Sequence, residues 1–85
     1  MAEEKIVGKV THFFTHISVA VIELSDTLKV GDSITFRGAT TDFSQKVDSM
    51  QIEHKSVEEA KAGQSIGMKV GDRVREDDTV YRVVE

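Results

Sequence analysis

The sequence contains no cysteine, and this absence removes several kinds of chemistry at once. Disulfide bonds, thiolate zinc sites and cysteine nucleophiles are all excluded. Proline is also absent, and no linker or low-complexity segment divides the chain. We therefore predict one domain over residues 1–85, held together by side-chain packing alone, with residues 1–4 as a flexible N-terminal tail.

Long hydrophobic runs and positive charge are also scarce. No stretch approaches the roughly 20 apolar residues that span a membrane, and the acidic N-terminus lacks the apolar run of a signal peptide. These features predict a cytoplasmic protein with no membrane partner. The net charge of −4 argues against a protein that coats nucleic acid through bulk electrostatics, because that mode requires many Lys and Arg side chains. A local basic patch remains compatible with this charge.

The residues that are abundant favour β-structure. Val, Ile and Thr occur throughout, and apolar and polar residues alternate over 5–14 and 33–37, which is typical of strands. Residues 17–24 are apolar on both faces, which a closed barrel explains better than a solvated sheet. A slip in the alternation near Ser49 predicts a β-bulge.

One short segment has a helical signal. Ser56 is followed three residues later by Glu59, the spacing of a capping box, and Gly63 would end the helix. The sequence as a whole predicts an all-β fold: a small closed antiparallel barrel of six or seven strands, with Greek-key character and one short helical turn.

No residue pattern supports a catalytic or metal centre, so we predict that the chain is not an enzyme. His12 and His16 have the spacing of a helical metal site, but they lie in a predicted β-region without a third ligand. The acidic clusters at 58–59 and 76–78 lack the spacing of a calcium loop and are typical of solvated turns. A P-loop is absent, so we expect no bound GTP, and no motif indicates another cofactor.

Four segments in sequence order resemble the second domain of elongation factor Tu and related translational GTPases. They are residues 6–10, 27–34, 49–53 and 60–67, with the sequences IVGKV, TLKVGDSI, SMQIE and AKAGQSIG. Because the chain lacks the GTPase domain and the third domain, it resembles the stand-alone elongation factor-like proteins of prokaryotes. It departs from the family at Asp26 and Asp77, where glycine is usual.

The resemblance implies a function and a site. In the elongation factors this domain helps to hold the aminoacylated 3′ end of tRNA, through positions that correspond here to Gln51, Glu53 and Ser65. With the adjoining His54 and Lys55, these residues form the predicted site of a non-catalytic, translation-associated module that binds the tRNA acceptor end or structured RNA. Lys46, Lys55 and Lys61 would supply local positive charge. Two alternatives remain open: a protein–protein interaction adaptor that docks on a larger enzyme or GTPase, and a polar strand face that binds nothing.

Overall fold

The computed structural model describes residues 3–84, which form short strands joined by tight turns. The strands are β1 (Glu3–Phe14), β2 (Val19–Leu24), β3 (Leu28–Lys29), β4 (Ser33–Arg37), β5 (Asp42–Lys46), β6 (Met50–Ile52), β7 (Lys55–Val57), β8 (Glu59–Ala60), β9 (Ser65–Lys69) and β10 (Thr79–Val84). The all-β class is therefore confirmed. No helix long and apolar enough to cross a membrane occurs in this part of the chain.

Eight of the strands form one antiparallel sheet in the order β5-β4-β10-β1-β2-β9-β6-β7, and β3 pairs separately with β8. The long strand β1 pairs with both β10 and β2. Its register shifts twice, between Ile6 and Gly8 and between Val10 and His12. Such bulges bend a strand, which allows one long strand to serve two neighbours in a strongly curved sheet.

The core lies on the inner face of this sheet and consists of small and medium-sized apolar side chains. Its buried members are Val7, Val10, Ala20, Ile22, Leu24, Leu28, Ile34, Phe36, Val47, Met50, Ala60, Ile66, Met68, Val70, Val74 and Val80. Phe36 is the largest, and its ring stacks on that of Phe43 at a centroid distance of 5.0 Å. Full burial of one such side chain contributes about 1.5–3 kcal/mol, so the core alone supplies a strong driving force for folding.

The sheet does not close into a barrel, because its edge strands β5 and β7 are not paired with each other. A side chain covers part of the opening. Gln45 of β5 donates through Nε2 to the Lys69 carbonyl at 3.2 Å, and its Oε1 accepts from the Gly71 N–H at 2.8 Å. One amide thus joins β5 to the end of β9 without a backbone ladder. The prediction of a closed barrel is corrected to an open sheet with this side-chain bridge.

Two local predictions are also wrong within residues 3–84. The segment expected to form a helical turn is instead β7, followed by β8, because strand pairing outweighs a capping signal too short to nucleate a helix. The bulge expected near Ser49 is replaced by a loop between β5 and β6, and the register shifts lie in β1. Residues 3–84 form ten strands, more than the predicted six or seven.

The N-terminal segment is strand where a tail was predicted. Glu3 and Glu4 pair with Val84 and Val83, while Met1 and Ala2 lie outside the described residues. The Glu4 carboxylate accepts two hydrogen bonds from the Arg37 guanidinium, at 2.8 and 3.2 Å. These hydrogen bonds, together with the charge of Glu4, raise the pKa of Arg37. The start of β1 is thereby joined, across β10, to the end of β4.

Candidate functional site

The outward face of β2 carries apolar side chains where solvent-facing residues are usually polar. On β2, Ala20 and Ile22 are buried in the core, so Val19 and Val21 point outward and remain only half-buried. The outward positions of β9 and β6 lie beside them, since Val21 pairs with Gly67 and Gly67 pairs with Gln51. This face is therefore apolar along β2, whereas Gly67 of β9 and Gln51 of β6 add no apolar side chain.

A depression on this face, which we call the outer groove, encloses about 380 Å³. Its lining residues are Phe14, Ile17, Val19, Val21, Gln51, Glu53, His54, Ser65, Ile66 and Gly67. Val19 and Val21 form the floor, Phe14 and Ile17 form one wall, and the polar side chains lie opposite that wall. An apolar surface with a few convergent polar groups is the usual composition of a binding site.

The apolar wall of the outer groove is unusually exposed. Phe14 and Ile17 are 46% and 59% exposed. They are held together by the turn between β1 and β2, in which the Ile17 N–H donates to the Phe14 carbonyl at 3.3 Å. Ser18 follows with φ 54°, which returns the chain to β2. Single exposed apolar residues are common, whereas neighbouring exposed apolar residues beside a groove are typical of contact surfaces.

The polar wall is built on a strained turn. Ile52 pairs with Lys55, so Glu53 and His54 alone connect β6 to β7, and both have left-handed backbones, at φ 51° and 66°. Two positive φ values define the type I′ hairpin, which strongly favours Asn-Gly. A left-handed residue other than glycine costs roughly 1–2 kcal/mol. Strain of this kind is concentrated at functional sites, where it fixes the position of particular side chains.

Four of the five predicted site residues lie together in the outer groove. Gln51, Glu53, His54 and Ser65 all line it, although they come from two strands and a turn. Lys55 does not. It pairs with Ile52, which packs toward the core, so Lys55 lies on the opposite face of the hairpin from Gln51. That these residues bind a ligand remains a prediction.

The charge at the outer groove differs from the sequence prediction. None of the lysines expected to supply local positive charge lines the groove, and Glu53 is the carboxylate among its lining residues. Binding to a phosphate backbone depends on Lys and Arg side chains that displace counterions. A groove lined by a carboxylate and apolar side chains is poorly suited to that task.

The sequence prediction missed the apolar half of the groove. Its signal was present in residues 17–24, whose second apolar face was attributed to a closed barrel and is instead the groove floor. Gly67 was also missed. A Cβ at this position would lie 3.6 Å from Val19 Cγ1, so the absence of a side chain keeps the groove open.

Two other depressions are lined by charges of both signs. One of about 600 Å³ is bordered by Lys9 and Asp77, whose charged groups pair at 3.1 Å. A polar one of about 300 Å³ brings Arg73 and Arg75 beside two aspartates. Elsewhere, His12 pairs with Glu76 at 3.4 Å. No group of three metal-binding side chains occurs within residues 3–84.

Comparison with known sequences relates this chain to proteolytic enzymes. The chain is 48% identical over 93% of its length to an uncharacterized protease of Methanocaldococcus jannaschii, and 38% identical over 94% of its length to a collagenase of Porphyromonas gingivalis. It spans only 20% and 23% of those two proteins, about a fifth of each. No family model matches the chain.

Comparison with solved structures shows that the chain shares its fold with a domain of a peptidase. The chain superimposes with a TM-score of 0.86 on the C-terminal domain of a Geobacillus thermoleovorans protein described as a U32 peptidase, in its selenomethionine variant. The match covers 89% of this chain and 96% of that domain at 18% identity. A second structure of the same domain gives a TM-score of 0.86 at 17% identity. The two chains therefore share a fold over nearly their whole length.

These matches overturn the resemblance to elongation factor Tu. The relatives are a protease and collagenases, so the translation-associated role and the RNA or tRNA ligand are wrong, and the adaptor alternative gains no support. The glycines that suggested the resemblance serve local geometry: Gly31 and Gly63 have φ values of 98° and 88°. Asp77, where that family has glycine, also has a positive φ of 74°. Such turn residues are required by a small β-fold whatever its ligand.

Proposed function

We propose that this chain is a non-catalytic accessory domain of the U32-peptidase type, and that its outer groove holds a polypeptide substrate. The observation that carries the proposal is the uneven coverage of its relatives. Nearly the whole chain matches a protease or a collagenase, but the match occupies only about a fifth of those proteins. A segment of this kind is one structural unit, joined in the relatives to a much larger remainder.

Some of the hydroxyl groups that could act as nucleophiles have structural contacts instead. Thr35 Oγ1 hydrogen-bonds Ser44 Oγ at 2.8 Å across β4 and β5, and the Thr11 hydroxyl donates to the Val21 carbonyl at 3.3 Å. A hydrolytic centre needs a nucleophile within hydrogen-bond reach of a base. No hydrogen bond within residues 3–84 joins a Ser or Thr hydroxyl to a histidine, and this supports binding, and not bond cleavage, as the task of the chain.

The outer groove supports a polypeptide as the ligand. Proteases and collagenases act on polypeptides, and an unfolded polypeptide offers apolar side chains together with backbone hydrogen-bonding groups. The apolar floor at Val19 and Val21 can contact the former, and the side chains of Gln51 and Ser65 can bond the latter. A volume of about 380 Å³ lies within the range of ordinary ligand pockets, about 300–1,000 Å³.

The proposal is tested by NMR titration of the ¹⁵N-labelled protein with heat-denatured collagen and with an unfolded casein fragment. We expect amide shifts confined to the outer groove, including Val21, Gln51 and Gly67. Gly67→Leu should abolish these shifts by filling the groove. Gly71→Leu is the matched control, because a Cβ there also has its nearest contact at 3.6 Å, outside the groove.

A parallel assay measures new amino termini released from the same two polypeptides. We expect none from the chain alone. Release that persists in purified protein and disappears in Gly67→Leu would show that the chain is itself a peptidase. Absence of any amide shift at millimolar polypeptide would remove the groove as a substrate site.

A further inference from the structure

The outer groove continues along β9 into a second depression of about 240 Å³. This depression is lined by Val19, Ser49, Gln51, Gly67, Met68 and Lys69, so it shares three residues with the outer groove. We call the combined surface the outer trough. Its floor follows β9 from Ser65 to Lys69, a span of about 13 Å at roughly 3.3 Å per residue.

The two ends of the outer trough carry opposite charge. At one end, Glu23 pairs with Ser65 across β2 and β9, and Glu53 lies in the adjoining turn. At the other end, Val19 pairs with Lys69. The antiparallel pairing of β6 with β9 through Gln51 and Gly67 keeps this order, since it puts Ser49 toward Lys69 and Glu53 toward Ser65.

These end charges have no partners within residues 3–84. The ion pairs of this region engage other residues, and none includes Glu23, Glu53 or Lys69. Lys46 and Asp48 lie near Lys69 along a neighbouring depression, and their charges offset each other. Lys9 pairs with Glu23 across β1 and β2, but its ammonium group lies 3.1 Å from the Asp77 carboxylate, so these two charges also offset each other. The acidic end therefore presents two net carboxylates to a ligand, and the basic end presents one net ammonium.

We infer that the outer trough selects an extended polypeptide segment with an apolar side chain at its centre and opposite charges about four residues apart. The segment's cation lies at Glu23 and Glu53, its anion lies at Lys69, and its central side chain covers Val21. In an extended chain the first, third and fifth side chains share one face, which matches this order along β9. The inference rests on the proposed function and adds the sequence class and charge order of the bound segment.

The test uses two blocked pentapeptides that differ in one charge. The first is acetyl-Lys-Thr-Phe-Thr-Glu-amide, and the second has Lys in place of its terminal Glu. At low ionic strength we expect the first to bind about three- to tenfold more tightly, because the second meets repulsion at Lys69 where the first gains an exposed ion pair. The preference should shrink as salt is added.

Charge reversal in the protein provides the decisive comparison. Lys69→Glu should invert the preference, so that the peptide with two lysines binds more tightly. Lys61→Glu changes the net charge equally but lies outside the trough, and it should leave the preference as it is. Both affinities are read from shifts of the Val21 and Gly67 amides, which also report whether each variant is folded.

The outcomes separate this inference from the proposed function. If both peptides shift the trough amides with equal affinity, or if Lys69→Glu leaves the preference unchanged, the charge selection is wrong and polypeptide binding stands. If neither these peptides nor denatured collagen nor casein shifts those amides, the proposed function fails with it.

Discussion

Two groups of turns in this protein reach left-handed backbone conformations by different means. Gly31 and Gly63 use glycine, and a Cβ at either position would meet no atom within 4 Å. Their backbones join neighbouring segments: the Gly31 N–H donates to the Val47 carbonyl and the Gly63 N–H to the Leu24 carbonyl, both at 2.8 Å. These turns need a conformation and nothing from a side chain.

The second group uses residues with side chains at equally positive φ: Ser18, Glu53, His54 and Asp77. Glu53 and His54 line the outer groove, and Ser18 lies between two residues that do. Three of these four strained residues therefore lie in or beside the outer groove. Glycine is sufficient where only geometry matters, and side chains retained despite strain support the proposal that the outer groove binds a ligand.

The largest effect is expected from converting a glycine turn into a strained one. Gly31→Val should lower the free energy of unfolding by about 2 kcal/mol, because a β-branched residue is strongly disfavoured at positive φ. Urea denaturation measures the change. Gly31→Asn is the control and should lose less than half as much, since Asn tolerates this region. Equal losses in the two variants would mean that side-chain crowding, and not φ, sets the cost.

Replacing the strained residues of the β6–β7 turn by residues that favour its backbone should stabilise the protein and weaken its peptide binding. Glu53→Asn combined with His54→Gly gives the type I′ turn its preferred residues and should raise the free energy of unfolding by about 1 kcal/mol. For a domain of this size, the midpoint of thermal unfolding should rise by about 4–8 °C. The same variant should bind acetyl-Lys-Thr-Phe-Thr-Glu-amide less tightly, because the Glu53 carboxylate is absent from the acidic end of the outer trough.

The two readouts of this double variant test the comparison of turns. A stabilised protein with unchanged peptide affinity would mean that the strained turn has no part in binding. A destabilised protein would mean that Glu53 or His54 contributes to folding more than its backbone strain costs.

The smallest effect is expected at the strained residue outside the groove. Asp77→Gly should raise the free energy of unfolding by less than about 0.5 kcal/mol, because Asp tolerates positive φ better than Glu or His. Its ion pair with Lys9, at 3.1 Å, is lost, but the Asp77 side chain is 83% exposed, and such pairs contribute little. Affinity for acetyl-Lys-Thr-Phe-Thr-Glu-amide should fall slightly, because Lys9 without Asp77 offsets Glu23, its partner across β1 and β2; unchanged affinity would mean that Glu23 takes no part in binding.

The sequence allowed the strands and part of the candidate site to be predicted. Alternation over 5–14 and 33–37 marked β1 and β4, and Gln51, Glu53, His54 and Ser65 do lie on one surface. Lys55 was misplaced because a two-residue turn reverses the chain, so its face is fixed by pairing with Ile52. No local pattern reveals that register.

Composition and periodicity by themselves determined that this protein is an all-β domain without disulfides, because absent residues and period-2 alternation are properties of the chain alone. Tertiary structure decided the rest. Whether the second apolar face of β2 meets a closed barrel or a groove depends on how β5, β7 and Gln45 are arranged. The charge order along β9 likewise depends on strands distant in sequence, since Glu23, Glu53 and Lys69 acquire a common surface only when those strands pair.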